Sequence, residues 1–378
     1  MQSLAPRLNN VFMKFPMIAR LFLCAVLLTN PIAAFAFETD QYNLPPQPLA
    51  DIGDEVTQYV EQNVRKAVGK INNEIYVRQA CLDKSAANSA KTKCNSPNRE
   101  SERLDYLRSE KAVAREIYNL LGAGIPPFTK SGTWMDWHKF KKQPARYKTT
   151  FQDSIFITFP TNYLMISPTV NLYESHFGTD KIAHFFQQGY DYYKIYNRAL
   201  AEGLAPDKAA ERAVRWGQKT ERTYFGTLIS GVYSNADLCA NYVGMKFYQG
   251  LTREIKIGDV TRPAVLLLKN GVWTFSETAD LREILVKPFM TDHLDEARNS
   301  SVFTKELSSQ VRRVVRKQSC RQWLSKFPNL SQIDFENASR ALMRWHGEDY
   351  GFKESKKSVT IADTCFGSES KKQKAAEH

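Results

Sequence analysis

Residues 178–196 read GTDKIAHFFQQGYDYYKIY, and this stretch decides the fold. Thr179 is a capping residue type whose hydroxyl can accept a hydrogen bond from an unpaired first-turn amide. Asp180 follows, where the helix dipole favours an anion. His184 comes four residues later, so Asp180 and His184 share one helical face, one turn apart. Phe185 and Phe186 flank the histidine, and Tyr190, Tyr193 and Tyr196 continue the helix. An acid and an imidazole on an otherwise aromatic helix mark a candidate site.

Two more helices follow at short intervals. Pro206 suits the first turn of an alanine- and charge-rich helix that is expected to reach Tyr224 or beyond and carries Glu221. Gly226 and Gly231 loosen the chain before a third helix, which starts at Ser234 or Asn235 and runs to Tyr248. That helix carries Asp237 and Asn241, again four residues apart. Three consecutive helices with short connections predict an antiparallel bundle, and facing bundle helices commonly build polar or metal sites. Asp180, His184, Glu221 and Asp237 are the expected ligands of a divalent cation, with Asn241 orienting. Oxygen-rich character suits Mg²⁺, Mn²⁺ or Ca²⁺, and the histidine admits Zn²⁺. Such a cation polarises a phosphoryl or carbonyl oxygen or acidifies water. Without metal, Asp180 is expected to orient His184 as a general base. Lys181 is either solvated or paired with an acid, and Gly189 and Gly244 are expected to allow close helix contact. The competing reading is a buried polar network that fixes helix register without chemistry.

The run Asp180-Lys181-Ile182-Ala183-His184-Phe185, followed by Asp237-Leu238-Cys239-Ala240-Asn241-Tyr242-Val243-Gly244, resembles the D-K-x-x-H-F and D-x-x-x-N-x-x-G pattern of VanZ-like proteins. It is also similar to small YfiM-like envelope lipoproteins, which carry a Lys-Glu element between the two motifs. Here Lys219 and Glu221 occupy that region with an extra residue between them. The resemblance covers residues 176–250 and implies an envelope protein with a site at these positions. VanZ-like proteins are membrane-embedded, whereas these helices are polar enough to be soluble.

The N-terminus reads as a targeting segment. Lys14 and Arg20 precede the apolar run from Leu21 to Leu28, and Ala34-Phe35-Ala36 matches a small-x-small cleavage pattern. Residues 1–36 are therefore expected to be a signal peptide cleaved near Ala36, with Met13 or Met17 as alternative starts, and the mature chain to be periplasmic. An uncleaved N-terminal anchor is the rival. Cleavage removes Arg7, Lys14 and Arg20 and no acid, so the formal charge of +12 falls to +9. That charge favours an anionic envelope component or a membrane surface as partner. The basic residues are scattered except around Arg312, Arg313, Arg316, Lys317 and Arg321, so nucleic acid is not an expected partner. Export makes disulfides expected, with Cys81–Cys94 and Cys320–Cys365 as the candidate pairs and Cys239 a buried thiol.

The rest of the chain frames the bundle. Residues 37–175 form an N-terminal region: a proline-rich start, a long helix with apolar residues from Ile52 to Ile75 at helical spacing, a polar loop, and a helix over Ser101–Leu121. Residues 125–175 read as irregular, with Trp134, Trp137 and His138 in loop-like context. In residues 251–366, Asn270-Gly271 between apolar runs signals a β-hairpin, and helices are expected over 278–298, 303–326 and 331–346. His293 and Glu296 are spaced for a metal, but Asp292, His293, Asp295 and Glu296 read better as a solvated charged turn. His346 is expected at a helix C-terminus before Gly347, and residues 367–378 as a disordered tail. No nucleophile elbow, phosphate loop, paired-cysteine zinc motif or dinucleotide fingerprint is present.

The expected fold is mainly α, a helical bundle with a small β-hairpin insertion. The expected function is that of an exported cell-envelope protein whose polar site hydrolyses or binds an ester or phosphoester. The alternative is a non-catalytic structural or interaction protein.

Overall fold

A computed structural model of the chain describes residues 38–86, 96–125, 128–158, 160–164, 166–223, 225–278 and 280–366. The expected signal peptide with Ala36, Cys94 and hence the expected Cys81–Cys94 pairing, and the tail from Gly367 fall outside these residues.

The apolar stripe builds the first helix, Gly53–Ala86. Ile52, Val56, Val60, Val64, Val68, Ile71 and Ile75 are all buried, so the stripe packs on the body of the protein. The helix expected over Ser101–Leu121 is two helices, Pro97–Leu107 and Glu110–Leu121. Pro97 opens the first, and Ser109 starts the second by accepting from the Ala112 amide at 3.4 Å. Leu104, Leu107, Val113, Ile117 and Leu121 bury both against the same core as the stripe.

Trp134 and Trp137 do not lie in irregular structure, whereas His138 follows the helix as its extended C-cap. Lys130–Trp137 is a helix, capped by Thr129, whose Oγ1 accepts from the Gly132 amide at 3.0 Å. Trp134 stacks on Tyr59 with ring centroids 3.9 Å apart, and His138 Nε2 meets Glu55 Oε1 at 2.7 Å. Contact with the first helix holds this helix more than its own propensity does.

The hairpin of Leu266–Lys269 and Val272–Phe275 turns on Asn270 and Gly271, at φ 52° and 79°. Trp273 anchors it: its amide donates to Asn72 Oδ1 and its Nε1 to the Leu107 carbonyl, both at 2.9 Å. A second hairpin, Thr169–Leu172 with Ser175–Gly178, leads straight into the motif helix. It turns on Tyr173 and Glu174 at φ 52° and 65°, residue types that do not announce such a turn.

The helix expected over 278–298 is replaced by a turn of helix, Leu281–Ile284, and two 3-10 turns, Lys287–Phe289 and Asp292–Leu294. Pro288 lacks an amide to continue a helix. Asp295 Oδ1 takes the Ala297 and Arg298 amides at 2.8 and 3.1 Å, which competes with helical bonding. Downstream, Lys305–Val314, a π-helical turn Val315–Ser319 and Cys320–Lys326 follow one another, and then Gln332–Ala341. His346 is not at a helix end. At φ 47°, with Gly347 at 83°, it forms a tight turn between the paired Trp345 and Glu348.

The architecture is mainly helical, with five two-stranded antiparallel sheets among the described residues. The larger core joins the first helix, the motif helices and the 266–275 hairpin. A second core around Tyr42, Phe156, Phe303, Val311, Val315 and Trp323 is closed by the Cys320–Cys365 disulfide, whose Cα atoms are 5.2 Å apart. Cys239 is a buried free thiol. Among the described residues, no helix is long and apolar enough to cross a membrane.

Candidate functional site

The motif helix begins at Asp180–Ala183, widens into a π-helical turn at His184–Gln188, and continues as Gly189–Ala201. A widened turn re-aims side chains, which is why such turns recur at functional sites. Thr179 does not cap through its hydroxyl; Oγ1 donates to Asp136 Oδ1 at 2.7 Å instead. The second helix is Pro206–Arg222. The third, Asn235–Gly250, is capped by Ser234, whose Oγ accepts from the Asp237 amide at 3.1 Å. Gly189 and Gly244 meet where the first and third helices cross: a Cβ on Gly189 would lie 2.6 Å from the Gly244 Cα.

This crossing gathers Asp180, His184 and Asp237. One ligand atom from each lies within 4.8 Å of the others. His184 Nε2 stands 3.3 Å from Asp237 Oδ2. That separation is about the edge of a tetrahedron whose corners lie about 2.0 Å from a central ion. The side chains of Asp180 and Asp237 are 3% and 1% exposed, whereas that of His184 is 12% exposed, so solvent reaches the group from the imidazole side.

Two amides hold the ring. His184 Nδ1 is 3.1 Å from both Asn241 Oδ1 and Gln188 Nε2, and Asn241 Nδ2 donates to Gln188 Oε1 at 3.1 Å. With the proton on Nδ1, the ring donates to Asn241 and turns a lone pair on Nε2 toward Asp237. With the proton on Nε2, the ring donates toward Asp237 and accepts from Gln188. The first state presents a metal ligand and the second an Asp–His pair. Asp237, not Asp180, is the acid that faces the imidazole. Asp180 is occupied elsewhere: Oδ1 accepts from Thr39 Oγ1 at 2.8 Å and Oδ2 from Lys181 Nζ at 2.6 Å.

Lys181 is not solvated. Its side chain is 0% exposed, and Nζ contacts Asp180, Asp237 Oδ1 at 2.6 Å, and Glu296. Burial works against its charge, but Asp180, Asp237 and Glu296 overcome that and hold its pKa well above the ordinary lysine value.

Glu221 is placed differently from expectation. It is buried beside the group, but its Oε1 accepts from the Ser234 amide at 2.9 Å, and it is not one of the three residues whose ligand atoms converge. The cap of the third helix has claimed it. Burial first, then Asp237, raises its pKa well above the carboxylate range.

Two acids join from distant segments. Glu296, expected on a solvated turn, is 3% exposed; its Oε1 meets Lys181 and accepts from Ser234 Oγ at 3.3 Å. Its pKa is pushed up to about 8, by burial foremost, with Lys181 pulling the other way. Glu38 is 1% exposed, and both of its carboxylate oxygens lack a hydrogen-bond partner. Burial foremost, then Glu296 and Asp237, holds its pKa well above the carboxylate range. Neither acid carries a periodic signal; only Gln188, four residues after His184, was findable from spacing. The neighbouring His293 binds Thr291 and the Arg344 carbonyl, and Asp292 pairs with Arg298.

No protein-family model, curated protein or solved structure matches this chain. The fold and site define a mainly helical protein with a buried acid–imidazole group around one lysine.

Proposed function

We propose that this is an exported cell-envelope protein, VanZ-like and YfiM-like in its motif region, whose Asp180, His184 and Asp237 hold a divalent cation. The cation would serve the hydrolysis or binding of an envelope ester or phosphoester. The observation that carries this reading is the convergence of three ligand atoms within 4.8 Å, with the imidazole on the solvent side. Mg²⁺, Mn²⁺ and Ca²⁺ fit the oxygen donors, and Zn²⁺ fits the histidine and the 3.3 Å separation from Asp237. Such an ion polarises a phosphoryl or carbonyl oxygen or acidifies a water. Asn241 and Gln188 fix the imidazole, and Lys181 offsets the negative charge of Asp180, Asp237 and Glu296.

An anionic envelope component or the membrane surface is the proposed partner. Ile125, Phe128 and Trp137 are 75%, 64% and 80% exposed, and Gln187 of the π turn donates to the Gly124 carbonyl at 2.9 Å, so an apolar hairpin adjoins the histidine turn.

The second reading, a non-catalytic packing network, is favoured by one observation. Lys181 is fully buried and its ammonium is met by three carboxylates, as a register-fixing cluster would be. A screen with a chromogenic phosphodiester and a chromogenic carboxylic ester, in Mn²⁺ or Zn²⁺, separates the two. The hydrolase reading predicts turnover by the parent that is lost in folded His184→Ala and Asp237→Asn. Absence of turnover with every ion, beside loss of stability in both variants, supports the network.

A further inference from the structure

We propose that Glu38 is a fourth ligand-bearing side chain of the cation site, joining Asp180, His184 and Asp237. This rests on the reading of that group as a cation site. The segment Glu38–Asn43 is buried throughout, although it is almost wholly polar. Most of its side chains are accounted for. Thr39 donates to Asp180, Asp40 accepts from Asn43 and the Ile155 amide, Gln41 accepts from the Glu296 amide, and Tyr42 donates to the Val359 carbonyl. Glu38 is the exception, with neither oxygen partnered. Its chain neighbour Thr39 donates to Asp180, and the charges that act on Glu38 are Glu296, Asp237, Lys181 and Glu221; its oxygens are not among the ligand atoms that converge within 4.8 Å, so the side chain swings to join them when the ion binds.

An unpartnered buried carboxylate is destabilising, and protonation does not cure it, because the new O–H donor would also lack an acceptor. A cation satisfies it. The site has the matching need. Both Asp180 oxygens are already engaged by Thr39 and Lys181, and Asp237 Oδ1 faces Lys181. Asp237 Oδ2 and His184 Nε2 are free to turn to an ion, and Asp180 adds the remaining lone pair of an oxygen already in a hydrogen bond. Three donors are fewer than any of the divalent ions considered takes, and Glu38 brings two more oxygens.

The test is titration calorimetry of the full mature chain with Mn²⁺ and with Zn²⁺, comparing the parent with Glu38→Gln, Glu38→Asp, Asp237→Asn and the control Asp295→Asn. Asp295 is a buried acid outside the site. Melting in chelator is recorded for each. The proposal predicts that Glu38→Gln binds about tenfold or more weaker, that Glu38→Asp recovers part of the affinity, and that Asp295→Asn binds as the parent does. In chelator, Glu38→Gln should melt close to the parent, since one unpartnered buried polar group replaces another. If the parent and Glu38→Gln bind equally while Asp237→Asn does not, Glu38 is not a ligand and the cation reading stands. If the folded parent binds neither ion, both fall.

Discussion

Asp237 faces two nitrogen partners at once: Oδ1 lies 2.6 Å from Lys181 Nζ and Oδ2 lies 3.3 Å from His184 Nε2. One carboxylate thus links an ammonium sealed from solvent to an imidazole at its edge. Structural and functional roles meet at this residue, and removing either partner should be felt differently.

Removing Lys181 should be felt in stability. Lys181→Met leaves Asp180, Asp237 and Glu296 as buried acids with no counter-charge. The expected loss is about 3–5 kcal/mol at neutral pH, and less at pH 5, where carboxylates can take up protons. Urea unfolding at the two pH values measures this. An equal, small loss at both would show that the ammonium is dispensable.

The pH dependence of the parent has a definite sign. Burial foremost raises Asp40 to about 6, Asp295 to about 7 and Glu296 to about 8, from ordinary values of 3.8, 3.8 and 4.5. Between the ordinary and the raised values the folded chain holds protons that the unfolded chain has released. Stability is therefore fully present below the ordinary values and is lost as pH rises through the raised ones, and every tenfold change in a proton affinity between the two states weighs about 1.4 kcal/mol. Melting temperature should fall from pH 5 to pH 8.5, and Asp295→Asn should flatten the slope. A profile rising over that interval would contradict the burial argument.

The helix crossing tolerates no side chain. A Cβ on Gly244 would lie 2.1 Å from the Phe185 carbonyl oxygen, a backbone atom that cannot swing aside. Gly244→Ala should destabilise by roughly 1–3 kcal/mol through overpacking. It should also weaken cation binding, because Asn241 and His184 sit on the two helices that must separate. Unfolding and titration of the same sample test both effects.

The Cys320–Cys365 bridge spans 45 residues and closes the second core. Cys320→Ala with Cys365→Ala should lower stability by about 2–4 kcal/mol. Unchanged denaturant midpoints would mean that Trp323, Phe327 and Phe335 hold this corner unaided.

Local signals were legible in the sequence, and long-range ones were not. The stripe from Ile52 to Ile75, the Asn270-Gly271 turn and the capped start of Asn235–Gly250 each state their structure within a few residues. Asp180, His184, Asp237 and Asn241 were found because a four-residue step puts two side chains on one face. Glu38 and Glu296 come from segments without a period and reach the site only through tertiary packing. Lys181 reads as either solvated or paired with an acid, and only Glu296 and Asp237 closing over it beside Asp180 decide for pairing. The Lys130–Trp137 helix likewise depends on Trp134 stacking against Tyr59, a partner no local window contains.

The metal content of the purified protein decides whether Asp180, His184 and Asp237 hold a cation. The protein would be repleted with Mn²⁺ or Zn²⁺ and freed of excess, beside folded His184→Ala and Asp237→Ala. A cation held by these residues requires a near-stoichiometric ion in the parent and its loss from both variants. A parent that retains no ion, with melting unchanged by either metal, would show that these residues hold no cation and leave the acid–imidazole group as a packing network.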